Sequence, residues 1–260
     1  MKSLKWLYKL TALFLGLVQV GYSQNNEVEY SFVDIDKNIT QKAISTIVQD
    51  QNGIIWIGAY GAGIYKNYSA DLISYRQEFQ NPNSLNSSLV QKAFVDSNNR
   101  VWVGTEVGLN VYDENHDHFN RVIFYEGEKA LEKVVVRAIA ETDDGKILVG
   151  TSSHGLYEVD PKNLTGKSVV IDPRPSDPIR IRCLTKRPDG KILMGTSNGL
   201  YEYDGNRAKS VVLKGAVTDN GAPFGIETIL IDDSGSLWMG TFADGLLKVE
   251  SGAMNTYSAT

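Results

Sequence analysis

Short apolar runs recur along the chain at a nearly constant spacing. The run Ile54–Gly58, Ile-Ile-Trp-Ile-Gly, has four later counterparts, and each of them also ends on a glycine. These closing glycines lie 46, 46, 45 and 45 residues apart, at Gly58, Gly104, Gly150, Gly195 and Gly240. Threonine follows in the last four copies, at Thr105, Thr151, Thr196 and Thr241. Self-similarity at a fixed period of this length indicates a repeat architecture.

Each copy predicts four short β-strands. In the first copy we expect them over Ile44–Gln49, Ile54–Ala59, Ile64–Tyr68 and Leu72–Tyr75. The first turn of each copy contains a residue that tolerates positive φ, at Gly53, Asn99, Gly145, Gly190 and Gly235. The second turn has its own glycine, at Gly63, Gly108, Gly155, Gly199 and Gly245. Four-stranded units of this size, repeated radially, are typical of an all-β fold, the β-propeller with four-stranded blades.

A tryptophan or leucine occupies one equivalent position in every copy. The residues are Trp56, Trp102, Leu148, Leu193 and Trp238. One four-stranded unit is too small to bury a core alone, so neighbouring sheets have to stack face to face. We interpret these side chains as packing between blades, and a stacking platform for a ligand is the alternative.

The count of fourth strands predicts an incomplete ring. Five copies of the first three strands are accompanied by six segments that look like a fourth strand, Tyr30–Ile35, Leu72–Tyr75, Asn120–Tyr125, Val169–Ile171, Ser210–Leu213 and Asn255–Thr260. Since the fifth copy already has the start of its own fourth strand, we expect five repeats of a larger, seven-bladed ring. Its open blade faces would favour self-association. A closed five-bladed ring with a short tail is the alternative.

Residues 1–23 are typical of a secretory signal peptide. Three lysines, Lys2, Lys5 and Lys9, precede the apolar run Leu10–Val20, and Gly-Tyr-Ser closes the segment. The run is short for a membrane span and ends in small residues, as a signal peptidase requires. We therefore predict a mature periplasmic chain, residues 24–260, that makes no membrane contact of its own. An uncleaved N-terminal anchor is the alternative.

Composition excludes several function classes. The 260 residues carry 26 Lys plus Arg against 31 Asp plus Glu, a net charge of −5, which argues against nucleic acid as a partner. One cysteine, Cys183, leaves no disulfide and no Cys-based zinc site. His116 and His118 offer two imidazoles, but no third ligand is evident, and a solvated loop is the favoured interpretation. We expect no cofactor and no metal.

All five copies carry a family resemblance, and two of them show it well. Residues Ile47–Gly58 and Ile229–Thr241 resemble the two component regulator propeller repeat, and the likeness extends from Ile44 to about Val249. The third and fourth copies depart from it by using Leu for Trp. The resemblance implies a periplasmic sensor region of a Bacteroidetes hybrid two-component system, with a glycan fragment as ligand. It also implies a β-sandwich, a membrane helix, a histidine kinase and a receiver after the propeller. Those parts are absent from this chain, so we expect no enzymatic activity.

Two other functions stay open at this point. One is a stand-alone periplasmic propeller that binds a protein partner, which large apolar patches on one rim would favour. The other is a propeller lyase or hydrolase, which an acid–base pair converging on the ring axis would favour.

The positions that differ between copies predict the binding site. They follow the closing glycine or are second in the first strand, and chain geometry puts them at one mouth of the ring. Mixed polar, charged and aromatic groups there suit an oligosaccharide or another small anionic ligand. The candidates are Tyr60, Glu106, Arg137, His154, Arg182, Asn198, Glu227, Phe242 and Asp244. We expect Arg137 and Arg182, equivalent in consecutive blades, to grip a carboxylate or sulfate. Pairing of both arginines with acids such as Glu141 and Glu227 is the alternative.

Overall fold

The structure, a computed structural model, describes residues 43–68, 71–173, 178–213, 223–250 and 253–257. The chain divides into two compact units, Met1–Asp34 and Ile35–Thr260, and every described residue belongs to the second. The predicted signal peptide 1–23 and the segment Tyr30–Ile35 lie outside the described residues. Within the described ranges, no helix is long and apolar enough to cross a membrane.

The five repeats form five separate sheets, which we number as blades 1 to 5 in chain order. Blade 1 contains β1 (Ile44–Gln49), β2 (Ile55–Ala59), β3 (Gly63–Tyr68) and β4 (Asp71–Tyr75). Blade 2 contains β5 (Val90–Val95), β6 (Val101–Thr105), β7 (Leu109–Asp113) and β8 (His118–Arg121). Blade 3 contains β9 (Ile123–Glu126), β10 (Lys129–Ala130), β11 (Val136–Glu141), β12 (Ile147–Thr151), β13 (Leu156–Asp160) and β14 (Thr165–Ser168).

The last two blades repeat the same plan. Blade 4 contains β15 (Val170–Asp172), β16 (Ile181–Lys186), β17 (Ile192–Thr196), β18 (Gly199–Tyr203) and β19 (Arg207–Val211). Blade 5 contains β20 (Ile226–Ile231), β21 (Leu237–Thr241), β22 (Leu246–Glu250) and β23 (Ala253–Tyr257). In every blade the four main strands pair antiparallel in sequence order, and the first strands of successive blades lie side by side. The predicted all-β architecture of four-stranded blades is confirmed.

The fourth strands of blades 2 and 3 differ from the prediction. Asn120–Tyr125 is not one strand, because β8 ends at Arg121 and β9 begins at Ile123. Val169–Ile171 is not the fourth strand of blade 3, which is β14. Instead, β9 and β15 leave one blade and pair in parallel with the outer strands β14 and β19 of the next blade. A period-two pattern rich in β-branched and aromatic residues fits any pleated edge, so it does not say which edge a strand joins. The predictions for the fourth strands of blades 4 and 5 began three and two residues late.

The apolar cores lie between blades, as predicted. Trp56 packs with Tyr112 and Phe119 of blade 2, and Trp102 packs with Val136 and Val149 of blade 3. The leucines do the same, with Leu148 beside Ile181 and Leu193 beside Ile226. Trp56 and Trp102 are 1% and 0% exposed, which leaves no ring face for a ligand.

An aspartate ties each of these tryptophans to the first turn of its blade. In blade 2, Asp96 Oδ1 accepts hydrogen bonds from the backbone N–H groups of Asn98 and Arg100, at 3.0 and 2.8 Å. The second oxygen, Oδ2, accepts from Trp102 Nε1 at 2.8 Å. With Asp96 only 2% exposed, one carboxylate satisfies two turn amides and an indole away from water.

The aspartate and the tryptophan occur together. The bond recurs from Trp56 to Asp50 and from Trp238 to Asp232, at 3.0 and 2.8 Å. In the copies with leucine, the position six residues earlier holds Thr142 or Arg187. Thr142 Oγ1 still accepts the turn amide of Lys146 at 3.0 Å, but the side chain of Leu148 has no N–H that needs an acceptor. An indole therefore requires the carboxylate, and a leucine does not.

The closing glycines make room for the next blade. A Cβ on Gly150 would lie 2.5 Å from Ile181 Cγ2, and one on Gly58 would lie 2.7 Å from Val90 Cγ1 as well as 2.6 Å from Thr46 Cγ2 of its own blade. Ile181 and Val90 are each the first residue of the next blade's first strand. The same atom on Gly240 meets only Thr228 of its own blade, at 2.8 Å. The glycines in the first four copies thus set how closely two blades approach.

The outer face of blade 5 is less covered than the faces between blades, whereas the outer face of blade 1 still buries Ile57, Ala59 and Tyr65. No packing comparable to that between successive blades joins β20 to β1 among the described residues. Ile47 on β1 and Leu230 on β20 are each 63% exposed. Trp238 is only partly buried, unlike its two counterparts. The described residues thus form five stacked blades in which no such packing closes a ring.

We expect Asp96→Ala to lower the free energy of unfolding by about 3 kcal/mol, because a buried indole N–H and two turn amides lose their acceptor. Urea denaturation of the purified chain measures it. The pair Asp96→Thr with Trp102→Leu reproduces the residues of blade 3, so the double variant should lose less stability than the two single variants summed. Simple additivity would contradict this account of the bond.

We expect Gly150→Ala to destabilise the fold by about 1–3 kcal/mol, since its methyl group enters space held by Ile181. The matched control is Gly240→Ala, which meets only its own blade and should cost clearly less. Denaturant unfolding of both variants gives the comparison. Equal losses would mean that contacts within a blade, and not the approach of the next blade, require the glycine.

Candidate functional site

The second turns and the connections between blades share one face, which we call the connection face. Gly61 N and Gly63 N, in the second turn of blade 1, donate to Ser88 O of the connection at 3.1 and 3.0 Å. In blade 2, the carbonyl of Val107 accepts from Val134 N at 2.9 Å. These bonds put both sets of residues on the same side of the sheets, as the chain geometry predicted.

The threonines that follow the closing glycines hold the second turns rigid. Thr151 Oγ1 donates to Gly155 O at 2.8 Å and accepts from His154 N at 2.9 Å. Thr196 does the same with Gly199 O and Asn198 N, at 2.8 and 3.0 Å. The chemically variable residues of the connection face therefore stand on turns whose backbone is fixed.

A cavity of about 480 Å³ opens where the first strands of the blades meet this face. Its polar lining is contributed by the second residue of the first strand in blades 2 to 5, together with neighbours on either side. The polar lining includes Gln91, Arg137, Ser152, Arg180, Arg182 and Glu227. We call this the arginine cavity, since three of these side chains are guanidiniums.

Arg137 is held by neutral groups. Its Nε donates to Ser152 Oγ and its Nη1 to Gln91 Oε1, both at 2.9 Å. Gln91 Nε2 in turn donates to Glu106 Oε1 at 3.1 Å, and Tyr60 OH donates to the same oxygen at 2.6 Å. The bond to Glu106 raises the pKa of the Tyr60 phenol, so Tyr60 stays a donor. One chain of hydrogen bonds thus links three blades. Among the described residues, no carboxylate forms an ion pair with Arg137.

Arg182 is held by an acid. Its Nη1 lies 2.9 Å from both oxygens of Glu227 in the next blade. Its Nε is buried and has no hydrogen-bond partner among the described residues. Glu141 does not pair with Arg137, because it accepts from the amide and hydroxyl of Ser97 at 2.8 and 2.7 Å. Pairing with an acid therefore holds for one of the two arginines.

The other predicted residues do not join this cavity. His154 is exposed and its Nδ1 lies 3.1 Å from Ser153 Oγ. Asn198 lines a separate cavity of about 300 Å³ beside Phe224. Phe242 is 76% exposed, and the backbone of Asp244 bonds to Thr241.

The prediction from the sequence did not include Arg180 or Ser152. Arg180 lies two residues before Arg182, so the period-two rule for extended chain would have placed both side chains on one side. Ser152 follows Thr151 in a second turn, at a position that Tyr60 and Glu106 had already marked as variable. In both cases a signal was present in the repeat alignment.

The arginine cavity is suited to holding an anion. Its lining has three guanidiniums against one carboxylate, Glu227, which is already paired. Cys183 lies on the first strand of blade 4, but burial raises the pKa of its thiol to about 11, so it is a poor nucleophile. The charged groups among the described lining residues, three guanidiniums and Glu227, suit the binding of an anion.

Comparison with known proteins identifies the repeat. The family model described as "Two component regulator propeller" matches residues 38–61. The resemblance to this repeat that the sequence indicates is thus confirmed over those residues. A curated relative, Histidine kinase P4 of Formosa agariphila, is 35% identical over 85 residues, which cover 31% of this chain and 6% of that kinase. The matched part is thus a small fraction of the length of that relative.

Solved structures agree on the fold. Two extracellular domains from B. thetaiotaomicron are similar, BT3049, ascribed to a hybrid two component system, and BT4673, ascribed to a one component system. The TM-scores are 0.63 and 0.68 at 20% and 16% identity, over 84% of this chain in both cases and 29% and 31% of those chains. The virginiamycin B lyase of Staphylococcus aureus is also similar, with a TM-score of 0.59 at 11% identity, over 83% of this chain and 70% of the lyase. At these identities the likeness concerns the propeller fold alone.

Proposed function

We propose that this chain is the ligand-binding propeller of a two-component signalling protein, and that its arginine cavity binds an anionic glycan fragment. The observation that carries the proposal is Arg182, whose buried Nε lacks a partner among the described residues, beside Arg137 and Arg180 in one cavity. A buried donor without a partner is costly, and a bound acceptor removes that cost.

The chemistry of the cavity favours a carboxylate or sulfate group. Guanidiniums bind such groups through paired, charge-assisted hydrogen bonds. Arg137 is positioned by the neutral groups of Gln91 and Ser152, and no carboxylate in the described part of the chain pairs with it, so its charge remains available to a ligand. Preformed positions also lower the entropy lost on binding.

A sugar as the carrier of that anion fits two further features of the connection face. Tyr60 and Phe242 are 41% and 76% exposed, and both follow a closing-glycine segment on this face. Exposed aromatic rings offer apolar surface beside polar groups, which is what the two faces of a sugar ring require.

The same proposal places the chain outside the cytoplasm. It is supported by the charged and apolar pattern of residues 1–23 and by the extracellular domains to which the fold is similar. Signalling would then depend on kinase segments, such as those the name of the Formosa relative indicates, joined to a propeller of this kind.

We expect Arg137→Ala and Arg182→Ala each to weaken binding of a uronic-acid or sulfated oligosaccharide by about 1–3 kcal/mol, because each removes a charged donor. Isothermal titration calorimetry with a panel of such oligosaccharides and their neutral counterparts measures it. Arg207→Ala is the matched control, since Arg207 lies on the outer strand of blade 4 and should bind as the parent does. Unchanged binding in both cavity variants would refute the proposed site.

A second candidate function is association with another copy of this chain through the open blade faces. In blade 1, Lys66 Nζ lies 5.4 Å from the Trp56 ring centroid, Tyr75 stacks on that ring, and Tyr112 of blade 2 covers it. Blade 5 repeats the arrangement with Lys248 and Tyr257 around Trp238. The partly exposed Trp238 therefore presents the same surface that blade 2 covers in blade 1.

We expect the 260-residue chain to self-associate in a concentration-dependent way, because contact between blade 5 of one copy and blade 1 of another does not close on itself. Sedimentation velocity over a range of concentrations measures it. Leu230→Glu on the open face should shift the chain to monomer, whereas Phe79→Glu, which changes a 92% exposed residue of a connection, should not. A parent chain that stays monomeric at every concentration would contradict this role.

A further inference from the structure

The hairpin that joins β7 to β8 in blade 2 brings three metal-ligating side chains together. Asp113 ends β7, His116 lies in the turn, and His118 begins β8. One possible ligand atom from each lies within 4.8 Å of the other two. From the sequence, His116 and His118 lacked a third ligand, and the hairpin supplies it because Asp113 and His118 face each other in the strand register.

The three side chains are already arranged around one point. His116 Nδ1 lies 2.9 Å from Asp113 Oδ2, and the rings of His116 and His118 stack with centroids 5.4 Å apart and 19° between their planes. His118 Nδ1 is buried and has no hydrogen-bond partner among the described residues. Two stacked imidazoles and a carboxylate can all act as metal ligands, and the nitrogen of His118 that has no hydrogen-bond partner in the described part of the chain is free to bind an ion.

The turn that carries these groups is anchored to the body of the protein. Asp117, at φ 51°, accepts hydrogen bonds at Oδ1 from Tyr75 OH of blade 1 and Tyr112 OH of blade 2, both at 2.5 Å. Asp113 Oδ1 accepts from Asn115 N at 3.0 Å, which leaves Oδ2 directed at His116. A turn held at both ends lowers the entropy that a bound ion would otherwise have to offset.

We propose that Asp113, His116 and His118 bind a divalent transition-metal ion of the zinc type. Imidazole nitrogen and carboxylate oxygen are the ligands that Zn²⁺ takes at about 2.0–2.2 Å, in a tetrahedron that water completes. Ligand atoms in such a tetrahedron lie about 3.4 Å apart. The ligand atoms, now within 4.8 Å of one another, would approach that separation by rotation of the three side chains, of which His116 is the exposed one.

This site is independent of the arginine cavity. The first turn of a blade and the turn between its third and fourth strands lie opposite the connection face, since neighbouring strands are antiparallel. Asp113 accordingly lines a surface depression with Asn98 and Arg100 of the first turn of blade 2. Metal binding there would link the end of β7 to the start of β8. The test of this site does not depend on any glycan.

The experiment uses the three histidines of the sequence, which are His116, His118 and His154. The full chain, freed of metal by a chelator and dialysis, is titrated with Zn²⁺ in competition with a chromophoric chelator. It is titrated separately with Co²⁺ while its visible absorption is recorded. We expect one ion per chain, with the intense visible bands of tetrahedral cobalt. His116→Ala and His118→Gln should each weaken binding at least tenfold, and His154→Ala should bind as the parent does.

Two controls make the result decisive. Circular dichroism and thermal unfolding of the metal-free variants show whether His118→Gln is still folded. Glu114→Gln removes a charge in the same turn and shows whether a nearby carboxylate that is not a proposed ligand affects ion binding. Loss of binding in His116→Ala and His118→Gln with an intact fold supports the site. Absence of stoichiometric binding by the parent, equal binding by the His116→Ala, His118→Gln double variant, or loss in His154→Ala would overturn it.

Discussion

The stacking of one blade on the next is the constraint on which the rest of this structure depends. A four-stranded sheet of this size has no interior, so its apolar residues are buried only by a neighbour. The hydrogen bond from Trp102 to Asp96 shows what this demands, because an indole can fill the space between sheets only if its N–H finds an acceptor there. The copies with leucine avoid the demand and lose the aspartate with it. The blades thus use two self-consistent solutions to one packing problem, and a mixture of the two would leave a buried polar group unsatisfied.

Much of this architecture could be predicted from the sequence because it repeats. Each strand position can be compared in five copies, which makes its prediction more certain. The bounds of β1 and the positive φ of Gly53 and Asn99 accordingly agree with the pattern. The errors fall where the repeat signal is weakest, at the outer edges. There β9 and β15 obey the same period-two pattern as a fourth strand, and only their partners distinguish them. A pattern records which residues suit a sheet, and the choice of edge is made by tertiary packing.

The candidate site could be predicted less completely, and for a related reason. The equivalence of Arg137 and Arg182 placed them at one cavity, since equivalent positions in neighbouring blades have to be adjacent. The pairing of Arg182 with Glu227 was among the alternatives from the sequence, whereas the partners of Arg137 could not be foreseen, because its hydrogen bond to Gln91 depends on side-chain rotation. The same limit hid Asp113, whose closeness to His118 follows from a turn of four residues between two paired strands. Spacing identifies neighbours across blades well and neighbours across a tight turn only when the register is known.

The crossing strands β9 and β15 bear on how this protein can be divided. Each lies after its own blade in the chain but completes the outer edge of the following sheet, so the unit that folds is offset from the unit that repeats in the sequence. A cut between β8 and β9 would leave blade 2 whole, while a cut after β9 would remove an outer strand from blade 3. Segments excised or exchanged at the boundary between β8 and β9 therefore keep every strand of their own sheets.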